Sequence, residues 1–229
     1  MRYYVFISGG EFIKVPSAES MLENASVKTR LDSYLELRNN NADSWGESYK
    51  WRLFPIIQAA FQIAIDPAAK IDVLIKKKPK QNNFLWLSGL ATLRRFGKDQ
   101  PVEAQKYLET LFDEGKDISE RIDYLRGKYS LPNQGTPIFG YILAIHDYSK
   151  YPLYRDSIFQ NVRKDLLISG EKRNSTPGEK YQIFQELCLS FGAYMNEKKL
   201  LKPEFVDGIE IVPGFTALDG QDFLYCQYR

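Results

Sequence analysis

The sequence predicts an all-α fold: one irregular domain over residues 1–229, with about nine or ten helices and at most a short strand near either end. Three observations predict it. Apolar residues recur at three- and four-residue spacing through most of the chain, the period of one helix face. Thr136-Pro137, Asp66-Pro67 and Thr176-Pro177-Gly178-Glu179 each pair a capping side chain with a first-turn proline, whose missing N–H is no loss there. Ile138, Phe139, Tyr141, Ile142, Leu143 and Ile145 surround one short helix almost completely, and a helix apolar all round is buried on several sides.

Taken in order, residues 1–15 have little helical period. Tyr3, Val5 and Ile7 alternate like a strand and Gly9-Gly10 marks a turn, so this stretch reads as a loosely attached N-terminal segment. Ser17 to Arg38 reads as one helix, with Met21, Val27, Leu31 and Tyr34 available for burial. Trp45 to Ala64 carries Trp51, Phe54, Ile57 and Phe61 on one face, with Pro55 early enough to be tolerated. Asp66-Pro67 opens a helix to Lys77, and Lys78-Pro79-Lys80-Gln81 breaks it. Phe84 to Phe96 buries Trp86, Leu90 and Leu93 and ends on Arg94-Arg95, where cations also suit the helix dipole. Pro101 starts the next helix, and Asp117 to Glu120 resembles a capping box.

The stretch Thr136 to Leu167 is the expected centre: the buried helix, a Lys150-Tyr151-Pro152 corner that proline forces into extended backbone, and an amphipathic helix from about Leu153. The helix after Thr176 buries Tyr181, Phe184, Leu187, Cys188 and Phe191. Lys202 to Phe215 is irregular, with a short strand at Ile209–Val212. Asp219 caps a last helix, Phe223 to Tyr228, and residues 216–229 read as the start of a linker toward a further domain.

Composition bounds the function classes. No apolar run approaches the roughly 18–20 residues of a membrane span. Two cysteines, Cys188 and Cys226, are too few for a disulfide framework, which points to a reducing, cytoplasmic setting. The net charge of +2 is small, but its distribution is uneven. Between Lys70 and Lys98 eight Lys/Arg stand against Asp72 alone, a local net of +7; Asp99 to Asp123 then holds eight acids against three cations, a net of −5. Such asymmetry fits a face turned toward a polyanion, and equally two solvated helix faces.

The phosphate-cradling loop GxxxxGK[ST] is absent, as is GxGxxG after a strand. A single histidine, His146, and two distant cysteines exclude the usual zinc ligand sets; His146 is read as a capping or core-edge residue, and neither a cofactor nor a metal is expected. Asp147 and Asp156 flank the tyrosine-proline corner, a position from which an acid could serve base-excision chemistry. Asn133-Gln134-Gly135, however, lacks the glycine-rich hairpin that such glycosylases place before it. Lys76, Lys77, Lys78 and Lys80, followed by Asn82, Asn83, Trp86, Arg94 and Arg95, mix phosphate-contacting cations with amides and an aromatic.

Asn82 to Lys128 resembles the helical region preceding the AAA+ motor of McrB-type subunits in modification-dependent restriction systems. The pattern is an apolar-aromatic helix ending in basic residues, a proline-started helix closing with Leu-Phe-Asp-Glu, then Ser-Glu-Arg-Ile-Asp. The likeness continues through Tyr151 to Val162 and ends at Leu218 to Cys226, covering about two-thirds of the chain. It implies an N-terminal specificity module that recognises DNA, often a modified base, while a GTP-driven motor and a partner nuclease cut. No Walker motif lies in these residues, so GTP hydrolysis is not expected of them. The expected function is therefore non-enzymatic DNA binding. Lys76, Lys77, Lys78, Lys80, Arg94 and Arg95 would hold phosphates, with Arg155 and Arg163 behind them and Tyr151 and Tyr154 available for base stacking. A protein-interaction or motor-regulating module, which predicts an exposed apolar patch, is the first alternative. A base-excision enzyme is the second.

Overall fold

A computed structural model describes residues 3–7, 11–40, 45–75, 84, 87–132, 135–166, 175–206 and 208–229. Among them are two antiparallel hairpins, β1 (Tyr3–Ile7) with β2 (Glu11–Val15) and β3 (Glu204–Val206) with β4 (Ile209–Ile211). The remaining elements are helices: α1 (Ala18–Met21), α2 (Ala25–Asn40), α3 (Tyr49–Ile63), α4 (Pro67–Ile75), α5 (Leu87–Asp99) and α6 (Pro101–Phe112). Then follow α7 (Ile118–Tyr129), α8 (Thr136–His146), α9 (Asp156–Leu166), α10 (Pro177–Glu197) and α11 (Thr216–Gln227). The fold is all-α and multi-helical, as expected.

Helix α8 is buried on every side, with each residue from Ile138 to Ile145 in the core. The element that touches most others is α10, which packs on α11, α7, α8, α1 and the N-terminal hairpin. Its start holds because Thr176 Oγ1 accepts from the Glu179 N–H at 3.1 Å while Glu179 Oε2 accepts from the Thr176 N–H at 2.7 Å, the expected capping box. Asp123 on α7 clamps the same turn by accepting from the Gly178 N–H at 2.9 Å. Glycine sets the spacing between α10 and α11. A Cβ at Gly192 would run into the carbonyl of Thr216, and one at Gly220 into the carbonyl of Cys188, so the two backbones meet without side chains between them.

Several local expectations change. The single helix from Ser17 splits, because Ser17 caps α1 and the Asn24 side chain accepts from the Ser26 N–H to start α2 afresh. The Asp117 side chain makes no capping hydrogen bond, and α8 opens at Gly135 without a side-chain cap, leaving Thr136 inside the first turn. Within residues 216–229, expected as the start of a linker, α11 starts at Thr216 and its residues Ala217 to Tyr225 are packed into the core. Asp219 lies within that helix, accepting from the Gly214 N–H at 2.9 Å and the Asn196 side chain at 3.1 Å. The N-terminal segment is a paired hairpin against α10, with Val15 fully buried.

Candidate functional site

The basic face expected on α5 is present in part. Leu93, Phe96 and Gly97 turn inward: Gly97 seats Ile71 of α4, and Phe96 meets Tyr107 and Tyr129 edge to face at 5.7 and 5.4 Å. The opposite side of the helix is therefore left to solvent, and Ala91, Arg94, Arg95 and Lys98 occupy it at i, i+3, i+4, i+7. These three cations make no ion pair with a described residue, whereas Lys28, Lys106 and Lys150 are held by Asp32, Glu103 and Glu114 at 2.6–2.9 Å. Lys76, Lys77, Lys78 and Lys80, and with them Trp86, lie outside the described residues. The packing of α4 on α5 agrees with the short connection between them.

The tyrosines of the corner are a correction. Tyr151 is 1% and Tyr154 4% exposed, so neither has a face to offer a base. Tyr154 packs among Phe159, Tyr181 and Phe184, its hydroxyl donating to Asp156; the Tyr151 hydroxyl donates to Glu114 at 2.9 Å. Gly140 of α8 admits this corner, because a Cβ there would come within 2.8 Å of the Tyr154 nitrogen. Arg155 is half-buried over the Tyr225 ring at 5.6 Å, and Arg163 is half-buried in the last turn of α9. Asp147 turns back on its own loop, accepting from the Ser149 N–H and hydroxyl. His146 stacks on Phe112 at 4.0 Å, and burial pushes its pKa down. Among the described residues no cluster of His, Cys, Asp and Glu could hold a metal ion, and no helix is long and apolar enough to cross a membrane.

Sequence reasoning missed a buried charge cluster where α2, α3 and α11 meet. Asp222 is its hub: Oδ2 accepts from Tyr34 at 2.9 Å and Trp45 at 2.8 Å, and Oδ1 from Lys50 at 3.4 Å. Lys50 lies 2.9 Å from Glu47, close but misaligned for a hydrogen bond, and 4.6 Å over the Tyr225 ring. Burial works against its charge, but Asp222 and Glu47 outweigh that and hold the ammonium above the ordinary lysine range. Burial raises the carboxyls of Asp222 and of Asp219, the latter to about 6 against the pull of its bonds from Gly214 and Asn196. Arg38, equally buried, stacks 4.4 Å over Trp45, and none of its guanidinium nitrogens finds an acceptor among the described residues. With every charged head withdrawn from solvent, the cluster fixes how three helices meet and offers nothing to a ligand.

A second surface feature lies on α3. Its inner face buries Trp51, Leu53, Phe54, Ile57 and Phe61, and Gln58 donates to the His146 carbonyl at 2.7 Å to tie it to α8. Its outer face, Ile56, Ala59, Ala60 and Ile63, is exposed and apolar. No family model, no curated protein and no solved structure matches the chain.

Proposed function

We propose that this chain is a non-enzymatic DNA-binding module of a cytoplasmic restriction or anti-phage defence system, contacting duplex phosphates through the outer face of α5. The observation that carries the reading is the line of Arg94, Arg95 and Lys98 along one solvent face, none neutralised by a described carboxylate. Guanidinium and ammonium groups spaced along a helix suit successive phosphate oxygens. The McrB-type resemblance of Asn82–Lys128 spans α5, α6 and α7 and supplies the setting, in which a motor and a nuclease subunit would be the partners. Lys76, Lys77, Lys78 and Lys80, outside the described residues, add four cations shortly before α5 in sequence. With the corner tyrosines in the core, the contact proposed is with the backbone of the duplex, and any reading of a modified base would fall to other residues.

Changing Arg94, Arg95 and Lys98 together to Ala should weaken binding to all duplexes alike. It should also flatten the log–log salt dependence by about two to three, since each neutralised phosphate contributes about 0.9. A wild-type slope in the variant would mean that the face is merely solvated. The second reading, a protein-interaction module, would then lead, favoured by the uncharged outer face of α3.

A further inference from the structure

We propose that the outer face of α3 is a two-fold interface between two copies of this chain. From Leu53 to Ile65 the sequence LFPIIQAAFQIAI holds no Lys, Arg, Asp or Glu, although 26% of the chain is charged. Half of that stretch is needed for the core and half is not: Ile56 is 54%, Ile63 78% and Ile65 97% exposed. Single apolar residues at a surface need no explanation, but Ile56, Ala59, Ala60 and Ile63 form one contiguous exposed stripe along about two turns of α3.

The occupant follows from the order of the side chains. The exposed stripe reads Ile56-x-x-Ala59-Ala60-x-x-Ile63, the same in both directions about the midpoint of Ala59 and Ala60. A two-fold axis through that midpoint, perpendicular to the helix, lays Ile56 of each copy beside Ile63 of the other. It also places the small alanines where the helices cross, which lets the axes approach to about 8 Å. An isologous contact requires this kind of self-complementary patch. Charge argues the same way: Arg52 lies one turn before Ile56, but from Leu53 to Ile65 the stripe has no cation for nucleic acid or an anionic lipid surface, and an uncharged stripe meets its own copy without like-charge repulsion. The hairpin β3–β4, whose β4 packs against α3, adds exposed Phe205 and Val212 on adjoining elements. The stripe from Ile56 to Ile63, about 11 Å long at 1.5 Å per residue, covers far less than the roughly 800 Å² per partner of a standard interface. The dimer should therefore be concentration-dependent, with Kd in the micromolar range.

The proposal does not rest on DNA binding, because its test reads mass alone. Sedimentation velocity of the full chain from about 1 to 300 μM should show a weight-average mass rising from monomer toward dimer, bracketing a micromolar Kd. Ile63→Glu and, separately, Ile56→Lys should each stay monomeric while keeping the wild-type circular dichroism, since both side chains are exposed. Mixed in equal amounts, the two variants should recover the dimer, because the two-fold axis sets Lys at 56 of one copy beside Glu at 63 of the other. Ala59→Arg, which blocks the crossing point, should be monomeric and unrescued by either. A wild-type chain that stays monomeric throughout would overturn the proposal, as would a dimer that survives Ile63→Glu or a mixture that fails to pair. A monomeric wild type that instead binds an apolar helical peptide would assign the face to a different protein.

Discussion

Helix α8 is apolar nearly all round, α3 from Leu53 to Ile63 is apolar but for Gln58 and Gln62, and the two meet opposite fates. Every residue of α8 from Ile138 to Ile145 is in the core, enclosed by the tyrosine corner, α10 and α3 itself. On α3 this uncharged stretch supplies one face to the core and leaves Ile56, Ala59, Ala60 and Ile63 in solvent. Periodicity distinguishes an amphipathic helix from an apolar one, but it does not say whether the chain itself provides enough neighbours to cover the second kind. Where it does, the helix becomes the middle of the molecule. Where it does not, the helix carries a surface waiting for a partner.

The sharpest way to break that contrast is to truncate one residue on each helix. Ile142→Ala removes a fully buried side chain from α8 and should cost about 2–5 kcal/mol in urea denaturation, whereas Ile63→Ala should stay within about 0.5 kcal/mol for the monomer. Equal losses would mean that the two faces do not differ as described. The N-terminal end of α3 offers a comparably large effect of a different origin. Asp222→Ala leaves Lys50 buried without its nearest hydrogen-bonded carboxylate and should destabilise by about 3–5 kcal/mol. Adding Lys50→Met should recover part of that loss, because the stranded charge is then gone.

A smaller effect concerns a half-buried carboxyl, the polar counterpart of an uncovered apolar face. Glu186 on α10 has an unsatisfied Oε2, and burial alone raises its pKa to about 7. The folded state therefore holds a proton that the unfolded state has lost between about pH 4.5 and 7, so this group makes stability fall as pH rises through that window. Glu186→Gln should gain about 1–2 kcal/mol over the wild type above pH 7, with the gain vanishing near pH 4. Thermal denaturation across that range would reveal it; a gain independent of pH would locate the effect elsewhere. Smallest of all, the triple change of Arg94, Arg95 and Lys98 to Ala should leave stability within about 0.5 kcal/mol, because all three side chains are exposed and none is paired with a described carboxylate.

What was legible in the sequence is what local chemistry decides. Pro101 and Thr176-Pro177-Gly178-Glu179 start helices where their stereochemistry requires it, and the late strand begins at Ile209 as expected. The Asp117 and Thr136 caps failed because a capping residue is one of several options for a turn, and tertiary contacts chose others. Tyr151 and Tyr154 illustrate a different limit: a tyrosine has an apolar ring and a polar tip, so its sequence neighbours do not say which way it turns. The cluster around Asp222 lay beyond reach altogether. Lys50 and Arg38 sit on helices where charge ordinarily marks the solvated side, and only the fold shows that Asp222 reaches Lys50 from far along the chain.

That arrival has a kinetic side. Asp222 joins Tyr34, Trp45 and Lys50 across 188, 177 and 172 residues, separations unusual for a helical protein, where most contacts close within a hairpin. Helical domains fold fast when their contacts are local, and this one makes its central polar contact between the two ends of its chain. In the folded state Lys50 and Arg38 are withdrawn from water where α11 supplies Asp222, and α11 reaches that place on the bare glycine backbone of α10. Desolvating the cations and seating α11 are thus coupled in one arrangement, so a substitution that blocks the glycine contact should also strand the charges.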